Sequence, residues 1–295
     1  MLFFATCARA YFKAPLTVVI YGESKLATKY VDLLKNKTNL DVNVTDIYKS
    51  ESIKDLSWPF VVVGSKALDA ILEKKTTLPI ISVLVSRVDF NKSIKLYDAS
   101  ENNNNLANIT AVYSDPDLFL QFKLIAEFYT SPTVSILMSE ASLFLKDDLL
   151  AAAKRAKVNL SFTNFSYKTD NIDKTINSMR HSDILLAMPD RDVWNLRTIK
   201  NILISSFRQD QAVFGFSRKM VQIGSLATVY SDIENIAEET AKMLSSYEQS
   251  GILPTAKSPG TFNIEVNKSV AISFGKTYEK NKLMPILTKG ANLEN

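Results

Sequence analysis

The sequence predicts an α/β fold built from two consecutive units, each a parallel sheet covered by helices. Three observations carry this. Short β-branched runs ending in small or polar residues recur with amphipathic segments between them. The alternation halts at the asparagine run ENNNN (101–105), a surface loop, and then restarts. Two near-identical pentapeptides, AVYSD at 111–115 and TVYSD at 228–232, close the two halves.

The first unit covers roughly 16–112. LTVVIYG (16–22) reads as a buried strand and ESKLATKYVDLLKNK (23–37) as a helix with one apolar face. DVNVTDIY (41–48) alternates as a strand, WPFVVVGS (58–65) is a second buried strand, 66–74 a helix, and PIISVLVS (79–86) a third buried strand. In the second unit, roughly 115–231, a helix over 115–130 precedes the strand TVSILMSE (133–140). A helix follows over 142–157, with Ser142 as its expected N-cap. NLSFTNFSY (159–167) is a strand, NIDKTINSMRHS a short helix, DILLAMPD (183–190) a strand, and 192–208 a helix. AVFGFS (212–217) is a strand, 220–231 a short helix running into a strand, and 232–249 a long helix. FNIEVNKSVAISFG (262–275) then closes the C-terminal piece.

At 295 residues, 46% hydrophobic and 22% charged, the chain can bury one large or two medium cores. Lys and Arg alternate with Asp and Glu along its whole length, so the net charge of +4 forms no nucleic-acid footprint. One cysteine, Cys7, and one histidine, His181, exclude an internal disulfide and argue against a zinc site. His181 precedes a strand, which is the wrong end for a site in a parallel sheet. With eight glycines there is no G-x-G-x-x-G, no phosphate-binding loop and no G-x-S-x-G elbow. Neither a catalytic residue nor a metal ligand nor a cofactor is expected. No apolar run is long enough to span a bilayer. Residues 1–14 begin MLFFATCARA and end an apolar stretch in Ala8-Arg9-Ala10, fitting small-x-small cleavage. Without a basic leader they read as a clipped or misassigned export signal, or else as a buried N-terminal segment or a tail. Thr6 before Cys7 makes a poor lipoprotein box.

At the carboxyl ends of the strands stand small polar and aromatic residues: Tyr21, Gly22, Ser65 and Ser86 in the first unit, and Ser139, Ser142, Asp190, Ser217 and Tyr230 in the second, with Trp194 close behind. Hydroxyls at helix N-termini suit a carboxylate, an aspartate opposite suits an ammonium, and aromatic rings suit an apolar body. Each of these residues could equally be a helix cap or a turn residue.

DILLAMPDRDVWN, then AVFGFSRKMVQIGSLATVYSD, then Asn267, Val270, Ala271 and Gly275 in an N-x-x-V-A-x-x-x-G tail, resemble the ABC transporter substrate-binding protein family, in the branch described as tryptophan/tyrosine-type. Asn108-Ile109-Thr110 and Gly64-Ser65-x-Ala67 resemble further steps of its pattern, and the likeness runs from about 16 to 277. The resemblance implies a type I periplasmic-binding fold: two Rossmann-like lobes, three crossovers, a ligand in the cleft and no catalysis. Lobe 1 would be 15–113 plus about 232–259, lobe 2 would be 114–231 plus about 260–280, and 281–295 a C-terminal tail. It also implies Ser65 with Ser139 or Ser142 on a ligand carboxylate, and Asp190 on its ammonium. Here SRVDF (86–90) departs from the family's V-x-D-P-[VI] loop, and Ala111 replaces a glycine.

The function expected is a periplasmic or otherwise exported, monomeric solute-binding protein. It would capture an amino acid or similar small molecule for an ABC-type importer whose permease is the partner. The alternative is a sensing module that reports to a membrane signalling partner. An enzyme using Asp190 or Glu140 as base lacks a paired acid/base set, and a transcription-regulator core lacks a helix-turn-helix before the first strand. The two pentapeptides are expected to be the strands that pass between lobes. Tyr113, Ser114, Tyr230 and Ser231 would then lie at the hinge, and the closing Asp of each pentapeptide would cap the next helix.

Overall fold

The computed structural model describes residues 15–49, 59–101 and 108–291. The expected signal or tail at 1–14 and the asparagines at 102–105 lie outside them.

The first half of the chain lays down β1 (Leu16–Ile20), α1 (Lys25–Lys37), β2 (Val42–Asp46), β3 (Phe60–Val63), α2 (Ser65–Glu73), β4 (Ile80–Val85), α3 (Arg87–Glu101) and β5 (Ile109–Tyr113). The strands form one parallel sheet in the order β2-β1-β3-β4-β5. The second half adds α4 (Leu118–Phe128), β6 (Thr133–Met138), a 3-10 helix over Glu140–Leu145, α5 (Lys146–Arg155), β7 (Asn159–Asn164), α6 (Ile172–Ser178) and β8 (Ile184–Leu186). It continues through α7 (Ile199–Arg208), β9 (Ala212–Phe214), α8 (Arg218–Gln222), β10 (Ala227–Tyr230), α9 (Ile233–Ser250), β11 (Asn263–Val266), α10 (Lys268–Ser273) and α11 (Lys280–Ala291). Its sheet runs β11-β10-β9-β8-β6-β7. Read from its own first strand, this is the same succession as in the first sheet. Only the added β11 is antiparallel, pairing with β10 at the edge.

Alternate residues of the central strands feed two cores, one on each face of each sheet. In the first sheet Val18 and Val61 face α1 and α9, while Val19 and Val62 face α2. The second sheet packs α4, α5 and α11 on one face and α6 and α7 on the other. The helix that closes each sheet is borrowed across the molecule. α4 follows β5 yet packs on the second sheet, and α9 follows β10 yet packs on the first. Tyr30 on α1 and Thr240 on α9 seal the first exchange with a buried 2.9 Å hydrogen bond.

Three crossovers join the lobes: 113–117, 230–232 and 257–262. Before it crosses, the third runs beside β5. There Lys257 N–H donates to Ala111 O at 3.0 Å and Tyr113 N–H donates to Lys257 O at 2.9 Å.

Several elements depart from expectation. α3 was not foreseen, although Ser86 and Asp89 stand at cap spacing and the Ser86 hydroxyl accepts from Asp89 N–H at 3.0 Å. α7 starts at Ile199 rather than 192, because Asn195 and Thr198 hydrogen-bond to nearby backbone and hold 191–198 in turns. The expected C-terminal tail is the helix α11, whose Leu283 and Leu287 are buried against the second core. Ser142 is not a helix N-cap. It lies inside the 3-10 helix, which Ser139 caps by accepting from Ala141 N–H at 3.2 Å.

Candidate functional site

The carboxyl ends of both sheets point into the seam between the lobes, where the sequence placed its candidate residues. On lobe 2 the strand ends are sewn together by Asp190. Its Oδ2 accepts from Ser139 N–H at 3.0 Å and from the Ser142 hydroxyl at 2.6 Å, and its Oδ1 accepts from Asp192 N–H at 3.0 Å. Asp190 is 1% exposed. The expected ammonium ligand is therefore a structural rivet that joins the turn after β6 to the turn after β8. Ser139 and Ser142, expected on a carboxylate, are its partners. Trp194 packs in the core with Val193 and Ile202 instead of lining the seam.

The other candidates are scattered. Ser86 and Ser217 cap α3 and α8, while Ser65 opens α2 half-buried. Gly22 adopts φ +69° and donates to Asp46 Oδ1 at 2.8 Å. Tyr21 is 41% exposed and lies against Tyr48 with ring centroids 5.4 Å apart. Tyr230 is half-buried at the second crossover, where Ser231 donates to Thr261 O at 3.1 Å. His181 is exposed in a turn.

What the structure brings together is a different set, centred on the first crossover. The backbone N–H of Arg87 donates to Asp115 Oδ2 at 2.8 Å, and its guanidinium lies 3.6 Å from the same oxygen. That guanidinium also donates to Pro116 O at 3.1 Å and to the Ser258 hydroxyl at 2.8 Å, and covers the Tyr113 ring at 4.8 Å. One arginine of lobe 1 thus ties the first crossover to the third. Asp115 is 2% exposed, and its Oδ1 has no hydrogen-bond partner. Burial pushes its carboxyl up to about 6, against the pull of Arg87. Burial likewise raises the Tyr113 hydroxyl. Across the seam Arg191 Nη2 meets Asp89 Oδ2 at 3.0 Å.

The first crossover separates two spaces. On one side is a cavity of about 580 Å³, framed by Arg87, Phe90 and Tyr113 of lobe 1, Asp117 and Phe144 of lobe 2, and the third crossover through Pro259. On the other is a narrow gap of about 10 Å³, lined by Asp115 and Pro116 of the crossover, Leu118 and Gln121 of α4, and Leu186, Met188, Pro189 and Phe216 at the ends of β8 and β9. Of the expected residues only Tyr113 lines either space. Arg87 and Asp89 had a signal in the sequence, since both sit in the SRVDF stretch that departs from the family pattern. Asp115 had none beyond the pentapeptide. Among the described residues no cluster of His, Cys, Asp and Glu could hold a metal, and no helix is long and apolar enough to cross a membrane.

No family model matches the chain, and no curated protein matches it by sequence. Solved structures do. A substrate-binding protein with adhesive properties from Clostridium difficile, in a ligand-free, open structure, is 14% identical with a TM-score of 0.63, covering 91% of this chain and 97% of that one. An ABC domain from Streptococcus pneumonia in complex with L-Trp is 16% identical with a TM-score of 0.59, covering 92% and 97%. A conserved domain protein from Vibrio cholerae is 16% identical, also at 0.59, covering 92% and 98%. The chain has the type I periplasmic-binding fold.

Proposed function

We propose that the chain is a solute-binding protein, a divergent relative of ABC transporter substrate-binding proteins, that holds a small organic ligand in the seam between its lobes and is exported to do so. The observation that carries this is the seam itself: two like-ordered sheets present their carboxyl ends to one another around a cavity of about 580 Å³ framed by both lobes. That volume lies within the ~300–1,000 Å³ of small-molecule sites. The three crossovers would act as the hinge, with Tyr113, Ser114, Tyr230 and Ser231 on two of them. Ligand would shift the population toward the closed form because only there does it touch both lobes. The L-Trp complex of the streptococcal relative supports an amino acid or similar molecule. The chemistry is binding alone.

A thermal-shift screen against amino acids, amines, small carboxylates, purines and polyols tests this. At least one class should raise Tm in a concentration-dependent way, and its best member should reduce the radius of gyration in X-ray scattering. No shift from any class at millimolar concentration would overturn the proposal.

A further inference from the structure

The amino ends of the second sheet's parallel strands form the pole of lobe 2 that lies opposite the seam. Three connections meet there: the end of α7 before β9, the turn after α8 before β10, and α10 after β11. Contacts join them into one surface. The Phe207 ring of α7 meets Phe274 edge-on, with centroids 5.5 Å apart. Asn267, the cap of α10, donates through its amide to Val221 O of α8 at 2.9 Å. Gly224, in the turn after α8, lies against Leu203 of α7, one helical turn before Phe207. On this surface Phe207, Ile223 and Ile272 are 52%, 47% and 64% exposed. Large apolar side chains gathered on one face, rather than scattered singly, mark a contact surface.

Charge specifies the partner. Over 204–226 and 266–276 the only carboxylate is Asp210, whereas the cations are Arg208, Arg218, Lys219, Lys268 and Lys276. Arg218 pairs with Glu265 of β11 at 3.7 Å, and Lys276 lies over the Tyr129 ring at 3.5 Å. Arg208, Lys219 and Lys268 are exposed, and among the described residues no carboxylate pairs with them. Two copies of the chain meeting here about a two-fold axis would set these cations face to face without compensating acids. An apolar centre fringed by long cationic side chains suits an anionic bilayer instead. There, aromatic and branched side chains enter the headgroup boundary, and Lys and Arg meet lipid phosphate. We propose that lobe 2 docks peripherally on an anionic lipid surface through the pole formed by α7, the turn after α8, and α10. Docked this way, the seam faces away from the lipid and stays open to solute. The proposal is independent of which ligand the seam holds.

Flotation of the full chain with phosphatidylcholine vesicles, made with and without about 30% phosphatidylglycerol, tests this. The protein should float with the anionic vesicles alone and be released as salt rises from about 0.05 to about 0.5 M. Arg208→Ala, Lys219→Ala and Lys268→Ala should each weaken binding about fivefold, and Phe207→Ser about tenfold. All four side chains are exposed, so Tm should stay near that of the wild type. A reporter fixes the orientation. The emission of Phe207→Trp should shift to the blue on anionic vesicles. That of Leu196→Trp, a position 97% exposed in the turns between β8 and α7 on the seam side, should not. No flotation with anionic vesicles would overturn the proposal. So would equal shifts at both positions, which leave only the unspecific attraction of a basic chain. Dimers in sedimentation that Phe207→Ser abolishes would assign the pole to a second copy and overturn it. Capture of polyglutamate in preference to vesicles would overturn it in favour of an acidic protein.

Discussion

AVYSD and TVYSD differ in one residue, and both carry the chain from one lobe to the other, yet their aspartates do opposite things. Asp232 is exposed and accepts from Glu234 and Asn235 N–H at 3.0 Å each, completing a capping box at the start of α9. Asp115 is buried, does not cap the helix that follows it and is held by Arg87 at the start of α3. The cap of α4 is Asp117, which accepts from Leu120 N–H at 2.9 Å. The pentapeptide determines that a strand ends and a turn follows. It does not determine which environment receives the carboxylate.

Breaking the Arg87 side of the comparison should cost most. Arg87→Ala leaves the Asp115 carboxylate buried without its partner and cuts the tie to Ser258, for a loss of about 4 kcal/mol in urea unfolding at pH 7.5. Asp190→Ala comes next, at about 3 kcal/mol, because three donors of lobe 2 lose their acceptor. A near-neutral result would return Asp190 to the list of ligand residues.

Asp115 itself should show a pH dependence of the opposite sign to an ordinary paired carboxylate. Its folded value, about 6, lies above the 3.8 of an ordinary aspartate. The group therefore favours folding fully below pH 4, and that contribution is lost as the pH rises through about 6, a swing of roughly 2–3 kcal/mol. Melts of wild type and Asp115→Asn from pH 4 to 7.5 should converge or cross in the variant's favour as the pH rises, and parallel curves would contradict the burial. The smallest effect belongs to the second pentapeptide. Asp232→Ala removes an exposed cap and should cost about 1 kcal/mol, whereas a loss as large as that of Arg87→Ala would erase the distinction between the crossovers.

The same contrast explains how much of the site was legible. Ser24 and Asn171 cap helices by accepting from backbone N–H groups three residues on, and local sequence was enough to place those helices; Ser217, singled out as a ligand residue, and Asn267, after which no helix was expected, turn out to be caps of the same kind. Asp190 and its partners Ser139 and Ser142 were singled out together, and they do meet. Whether a cluster of donors around an acid binds a ligand or saturates itself depends on distances across 48–51 residues, which no local pattern encodes. The Arg87 clamp reaches 171 residues to Ser258, and nothing near Arg87 announces that partner.

By itself the sequence determined the strands, most of the helices, the division into two units and the places where the chain crosses, because hydrophobic period and capping act within a few residues. Tertiary structure alone decided which aspartate is a cap, which is a rivet and which keeps a free oxygen at the seam. Burial, and the partners that burial brings, come from segments well beyond the reach of local pattern, 28 residues away for Arg87 and Asp115 and 48–51 for the serines on Asp190, and a carboxylate's charge, hydrogen bonds and reactivity follow from them.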